Sequence, residues 1–138
     1  MDTIKVADLV ASMAHRGQVD KMGTAYIEHP RAVASFLETE TEKTVALLHD
    51  VLEDTYLTED DLRPVFGDEI TDAVVALTRN DGEEYFAYIQ RVKQNPLAVR
   101  VKLADLKHNT DRSRIDEPKE NDFRRWDKYK KAIEILHS

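Results

Sequence analysis

Nowhere in this chain do apolar and polar residues alternate over the length of a β-strand, and the apolar positions recur instead at the three-and-four spacing of an α-helix. Only four Gly and four Pro interrupt the 138 residues. The expected fold is therefore all-α, with helices joined by short loops in one domain over 1–138, since one core commonly serves about 100 to 150 residues. The spacing predicts a helix from Thr3 to Arg16, stopped at Gly17, and a loop from Gly17 to Tyr26. Pro30 suits the first turn of a helix reaching Leu37, and Glu42 to Glu53 reads as the next. Thr58-Glu-Asp-Asp61 is a capping-box pattern opening a helix that Pro64 and Gly67 end, after which Asp68 to Thr78 is helical. Three more helices are expected over Glu83 to Lys93, Pro96 to Arg114 and Asn121 to His137.

The absence of cysteine rules out disulfides and thiolate metal sites, so any bound metal has to be held by the five His and the acids. A net charge of −7, with basic residues scattered among acids, disfavours a nucleic-acid polymer or an anionic membrane as partner. A small phosphorylated ligand stays compatible, because a metal and a few local cations can invert the potential inside a cleft. There is no apolar run near the roughly 18 residues that span a bilayer, and Met1-Asp-Thr-Ile-Lys5 lacks a secretory layout. A cytoplasmic location is expected.

In Leu47-Leu48-His49-Asp50-Val51-Leu52-Glu53-Asp54-Thr55, four ionisable groups interrupt a run of aliphatics. On a continuous helix His49, Asp50, Glu53 and Asp54 would lie at about 0°, 100°, 40° and 140°, with the aliphatics between about 160° and 300°. One face packs while the other gathers imidazole and carboxylates. Because adjacent side chains diverge by about 100°, His49 and Asp50 could share a metal only with ligands from elsewhere.

His29, just before Pro30, and Asp105, in Lys102-Leu-Ala-Asp105, are the candidates. On its expected helix Asp105 shares a face with Lys102, Asn109 and Arg112, combining a carboxylate, an amide and positive charge suited to phosphate. Two neutral imidazoles and two carboxylates would neutralise a divalent ion, and mixed N/O ligation suits Mn²⁺, Fe²⁺ or Zn²⁺. From spacing alone each residue also has an ordinary use. His49-Asp50 could be a satisfied core pair, Glu53-Asp54 a solvated face, His29 a loop residue, and Arg112 and Arg114 a complement to a helix C-terminus.

Three segments in order, Tyr26-Ile-Glu-His29-Pro30, Ala46-Leu-Leu-His49-Asp50-Val-Leu-Glu53-Asp54-Thr55 and Val101-Lys-Leu-Ala-Asp105-Leu-Lys-His-Asn109, resemble the hydrolase domain of the RelA/SpoT family within the HD superfamily. Ala14-His15-Arg-Gly-Gln18 and Phe66-Gly67 extend the resemblance over about residues 4 to 112. It implies a compact HD-type bundle of about seven or eight helices. It further implies a Mn²⁺-type ion on His29, His49, Asp50 and Asp105, and Glu53 with Asp54 activating water and moving its proton. Asn109 matches a substrate-pocket residue and Lys21 a basic residue of the family, and Tyr26, Lys102 and Arg112 join them as substrate-binding candidates. The implied activity is phosphohydrolysis of a nucleotide or other small phosphate ester, with (p)ppGpp 3′-pyrophosphohydrolysis the leading case and degradation rather than synthesis expected.

Two departures bear on the substrate. Where the family carries an Arg that packs against guanine this chain has Asp20, which cannot stack as a guanidinium does. The family's Ala-Asp-Arg-Leu-His-Asn becomes Ala104-Asp-Leu-Lys-His-Asn109, losing a second Arg, and Thr110-Asp-Arg-Ser-Arg114 resembles small stand-alone HD proteins. The alternative functional class is a non-catalytic metal- or nucleotide-binding sensor. A third is a helical protein whose His and Asp are structural. Trp126 and Tyr129 on the last helix are expected to pack within the monomer, the alternative being a homodimer face.

Overall fold

The computed structural model describes residues 2–138. Among these residues eight α-helices follow one another: α1 (Thr3–Ala14), α2 (Glu28–Ser35), α3 (Glu40–Leu48), α4 (Val51–Asp54), α5 (Glu59–Ala76), α6 (Tyr85–Val92), α7 (Pro96–Asn109) and α8 (Glu120–His137), with a 3-10 turn at Arg112–Arg114 before α8. Among the described residues the only β pairing is an isolated antiparallel bridge between Val19 and Ala25. No helix among the described residues is long and apolar enough to cross a membrane.

Local chemistry starts most of these helices. The Asp2 carboxylate accepts from Lys5 N, Glu84 from Ala87 N and the Asn95 amide oxygen from Ala98 N, each meeting one of the orphan donors of a first turn. Reciprocal capping boxes, Thr39 with Glu42 and Thr58 with Asp61, open α3 and α5. Gly67, at φ 84° and ψ 175°, breaks α5 into the two expected segments, a conformation that a side chain would strain.

The middle of the molecule is α3, against which α1, α2, α5 and α7 pack, while α8 closes over α6 and α7. Val45, Ala46 and Leu48 of α3 are inaccessible, as are Ala7 and Ala11 of α1, Val33 of α2 and Val101 and Leu106 of α7. At roughly 1.5–3 kcal/mol for each large aliphatic buried, this packing fixes α3 against its neighbours. Glu42 adds a polar tie, accepting from Arg100 Nε of α7 at 2.5 Å. The His49-Asp50 pair leaves the end of this immobilised helix. Trp126 is 4% exposed and gives its indole N–H to the Asn109 carbonyl, so the last helix packs inward as expected.

Two helical expectations fail, both at the site. Glu42 to Glu53 is not one helix: α3 ends at Leu48 and a separate turn, α4, starts at Val51, with Asp50 at φ −107° and ψ 0° between them. The aliphatic rhythm continues across the break, but the turn cancels the 100° divergence and brings the His49 and Asp50 side chains side by side. Likewise α7 stops at Asn109, not Arg114, where the Thr110 hydroxyl bonds back to the Leu106 carbonyl and Asp111 caps the 3-10 turn. Arg112 therefore leaves the strip it was expected to share with Asp105.

Candidate metal centre

His29 enters from the first turn of α2, His49 from the end of α3 and Asp105 from the middle of α7, all buried. One ligand atom of each lies within 4.8 Å of the others. Asp105 Oδ1 is 2.8 Å from His29 Nε2 and 3.4 Å from His49 Nε2, and Asp50 Oδ2 is 3.0 Å from His49 Nε2. Asp50, Glu53 and Asp54 form a second, more exposed group with ligand atoms equally close to one another.

The two imidazoles are oriented from behind. His49 Nδ1 lies 2.5 Å from the Ala46 carbonyl, a contact that requires Nδ1–H and leaves the Nε2 lone pair of the neutral ring facing Asp50 and Asp105. That buried Nε2 has no hydrogen-bond partner. A lone pair against two carboxylates is unfavourable unless a proton or a cation lies between them. Burial pushes the His49 pKa down, yet Asp50 and Asp105 override it and hold the ring well above its ordinary value. Burial pushes Asp50 up, and His49 outweighs it to hold the carboxyl at about 2. An orphaned imidazole nitrogen among convergent carboxylates is a donor set that fits a divalent cation.

Around this core the other expected residues sort by position. Tyr26 donates its hydroxyl to Asp50 Oδ2, so it orients a carboxylate of the cluster. Lys102 gives a 3.0 Å bond to Asp105 Oδ2, and Asn109 a 3.1 Å bond to Asp105 Oδ1. Glu53 accepts from Arg79 N at 2.9 Å. Burial, with Asp50 and Asp54 as like charges, raises its pKa against the pull of that N–H and of Lys102, and burial and Asp50 raise Asp54 as well. Lys21 lies farther out, paired with Asp122 of α8 at 3.0 Å and lining a cavity of about 200 Å³ with Asn109, Arg114 and Trp126. Arg112 stacks on Trp126 at 5.0 Å instead.

Asp20, the residue that replaces the family's Arg, also lines that cavity, but its charge is committed to the loop. Oδ1 accepts from Met22 N and Thr24 N at 2.9 and 3.0 Å, while Oδ2 sits 3.8 Å from Arg114, which brings a guanidinium to the cavity from the 3-10 turn.

Sequence reasoning passed over two histidines. His108 Nδ1 is 2.7 Å from His29 Nδ1 with the rings stacked at 4.9 Å, and burial together with Arg114 and His29 pushes its pKa down to about 4. It stays neutral and can accept a proton from the far side of His29. His15, 3% exposed, packs on Tyr26 and binds Gln18, whose amide donates to the Asp54 carbonyl. Both stood inside segments already singled out, but their roles depend on which helices meet.

Fold and site together define a class, an all-helical domain with a buried His/His/Asp cluster suited to a divalent ion. The chain belongs to the HD domain family, whose model matches residues 7–117. Among curated relatives, it is 40% identical over 116 residues to the guanosine-3′,5′-bis(diphosphate) 3′-pyrophosphohydrolase of Haemophilus influenzae and 35% identical over 122 residues to the bifunctional (p)ppGpp synthase/hydrolase SpoT of Escherichia coli. These matches take in 73% and 77% of this chain but 17% of either relative, so the chain spans a small part of their length. A solved structure reported as a metazoan ortholog of SpoT that hydrolyzes ppGpp superposes with a TM-score of 0.78 over 99% of this chain and 85% of that one, at 22% identity. That likeness establishes the fold.

Proposed function

We propose that the chain is a metal-dependent phosphohydrolase that removes the 3′ pyrophosphate from guanosine polyphosphates of the (p)ppGpp type. The observation that carries this is the meeting of two buried imidazoles and Asp105 with the carboxylates of Asp50, Glu53 and Asp54 at a solvent-facing rim. The names of the relatives supply the substrate class, and the cavity beside Asn109, with Trp126 and Arg114 in its wall, offers an apolar and cationic surface to a nucleoside.

His29, His49, Asp50 and Asp105 would hold the ion, of the Mn²⁺ type, Fe²⁺ and Zn²⁺ being the other candidates for mixed N/O ligation. Such an ion supplies Lewis acidity toward a phosphoryl oxygen and makes water easier to deprotonate near neutral pH. The chain does the rest. Ala46 and His108 aim the two rings, and Tyr26, Lys102 and Asn109 fix the Asp50 and Asp105 carboxylates. Glu53, its carboxyl raised by burial and by the neighbouring carboxylates and so made a stronger base, takes the proton of the attacking water, and Asp54 stands beside it to pass that proton on.

A sensor would need the ion and the nucleotide cavity but not Glu53. Chain loaded with Mn²⁺ is therefore tested on ppGpp by release of pyrophosphate, beside the Glu53→Gln variant. Turnover in the parent and a loss of about 10²- to 10⁴-fold in kcat with metal retained support hydrolysis. Saturable ppGpp binding without turnover would make the domain a sensor.

A further inference from the structure

A second cavity, of about 190 Å³, opens on the Asp50 and Glu53 side of the cluster and shares Asn109 and Tyr129 with the nucleoside cavity, so the two adjoin at those side chains. Its wall differs in kind. Arg79, Lys102 and Lys128 line it, from the α5–α6 loop, α7 and α8, and they outnumber its carboxylates, Asp50 and Glu53.

Two of these cations are in no direct ion pair, although Arg79 lies near Glu83 and Glu84 in its own loop and donates its Nε–H to the Glu83 carbonyl. Lys102 is paired with Asp105, but neither Arg79 nor Lys128 forms an ion pair among the described residues. The Tyr85 ring holds both, with Lys128 Nζ 4.4 Å and Arg79 Cζ 5.7 Å from its centroid, and Lys128 also lies 5.4 Å from the Tyr129 ring. Lys128 is half-buried. Partial burial and repulsion from Arg79, Arg125 and Lys102 keep its ammonium below the usual lysine range, a cost that an anionic ligand would reverse. Like charges gathered at a partly dehydrated wall beside the reacting centre are arranged for phosphate oxygens.

We infer that Lys128 and Arg79, held on the Tyr85 ring, form with Lys102 a subsite for the pyrophosphate end of the substrate, while the nucleoside end occupies the cavity on the other side of Asn109. This rests on the phosphohydrolase reading and adds the direction in which the substrate lies across the centre.

The test titrates inorganic pyrophosphate into the manganese-loaded chain at fixed free Mn²⁺, with metal content measured afterwards. Lys128→Ala and Arg79→Ala should each weaken pyrophosphate binding by about tenfold or more, since each loses charge-assisted bonds to the anion. The metal stoichiometry should not change. Lys128→Arg should restore most of the affinity, and Lys131→Ala, an exposed lysine on the same helix that lines neither cavity, should bind pyrophosphate as the parent does. With ppGpp, Lys128→Ala should raise KM at least as much as it lowers kcat.

Pyrophosphate affinity unchanged in Lys128→Ala, or lowered equally by Lys131→Ala, would overturn the subsite. If the parent binds pyrophosphate in a Lys128-dependent way but turns over no guanosine polyphosphate, the phosphohydrolase reading fails and the anion subsite stands.

Discussion

Two clusters of charge in this molecule look alike on paper and differ in every physical respect. Around Arg63, on the outer face of α5, three carboxylates surround one guanidinium: Glu59, Asp68 at 2.7 Å and Asp72 at 3.0 Å, each at least half exposed. Around Asp105, two imidazoles, Lys102 and Asn109 converge on a carboxylate that is 4% exposed. Water and salt screen the first set, and its geometry adds little beyond keeping the surface soluble. The second has been taken out of water at a cost that hydrophobic residues of the same volume would not incur. A fold that keeps so expensive an arrangement at the meeting point of α2, α3 and α7 retains it for what the groups do together.

The largest expected contrast is in stability without metal. Asp105→Ala leaves the Lys102 ammonium and two imidazoles facing a buried void, and should lower the unfolding free energy of the metal-free chain by about 3–5 kcal/mol in urea titrations. It should also abolish metal retention. Next comes the support behind a ligand: His108→Ala removes the acceptor for His29 Nδ1–H and should weaken metal affinity by about 10- to 100-fold, with His108→Asn, which keeps an acceptor, recovering part of it. Calorimetric metal titration reads both variants.

A third contrast is with pH. Because Asp50 and Asp105 hold the His49 pKa above its ordinary value, the ring carries a proton that a metal must displace. Affinity should therefore fall as pH drops below that raised pKa, by about tenfold per pH unit for one displaced proton, and level off above it. The smallest effect belongs to the exposed cluster. Arg63→Ala should move Tm by about 2 °C or less and leave metal binding untouched. A large loss there would erase the distinction between the two clusters.

Much of this contrast was legible before any coordinates. The three-and-four spacing yielded the helices, Thr58 with Asp61 marked a start that the structure shows as a capping box, and Gly67 marked a break. His29, His49, Asp50 and Asp105 stood out because each is polar within apolar or proline-bounded surroundings. What stayed hidden depends on tertiary approach. Val51 and Leu52 continue the hydrophobic rhythm of α3, so the turn at Asp50 left no local trace, and without it the His49-Asp50 pair looked divergent. Arg112 sits one helical turn beyond Asn109, and periodicity alone could not tell that α7 stops short of it. His108 acquires a role only because α2 lies across α7, and Lys128 only because α8 folds back over the Tyr85 ring.

Location of the ion itself tests the central claim most directly. Crystals grown with Mn²⁺ and measured at the manganese absorption edge should show one strong anomalous peak per chain, within about 2.0–2.3 Å of His29 Nε2, His49 Nε2 and a carboxylate oxygen of Asp105. Peaks confined to exposed carboxylates such as those around Arg63, with nothing between the two imidazoles, would contradict it.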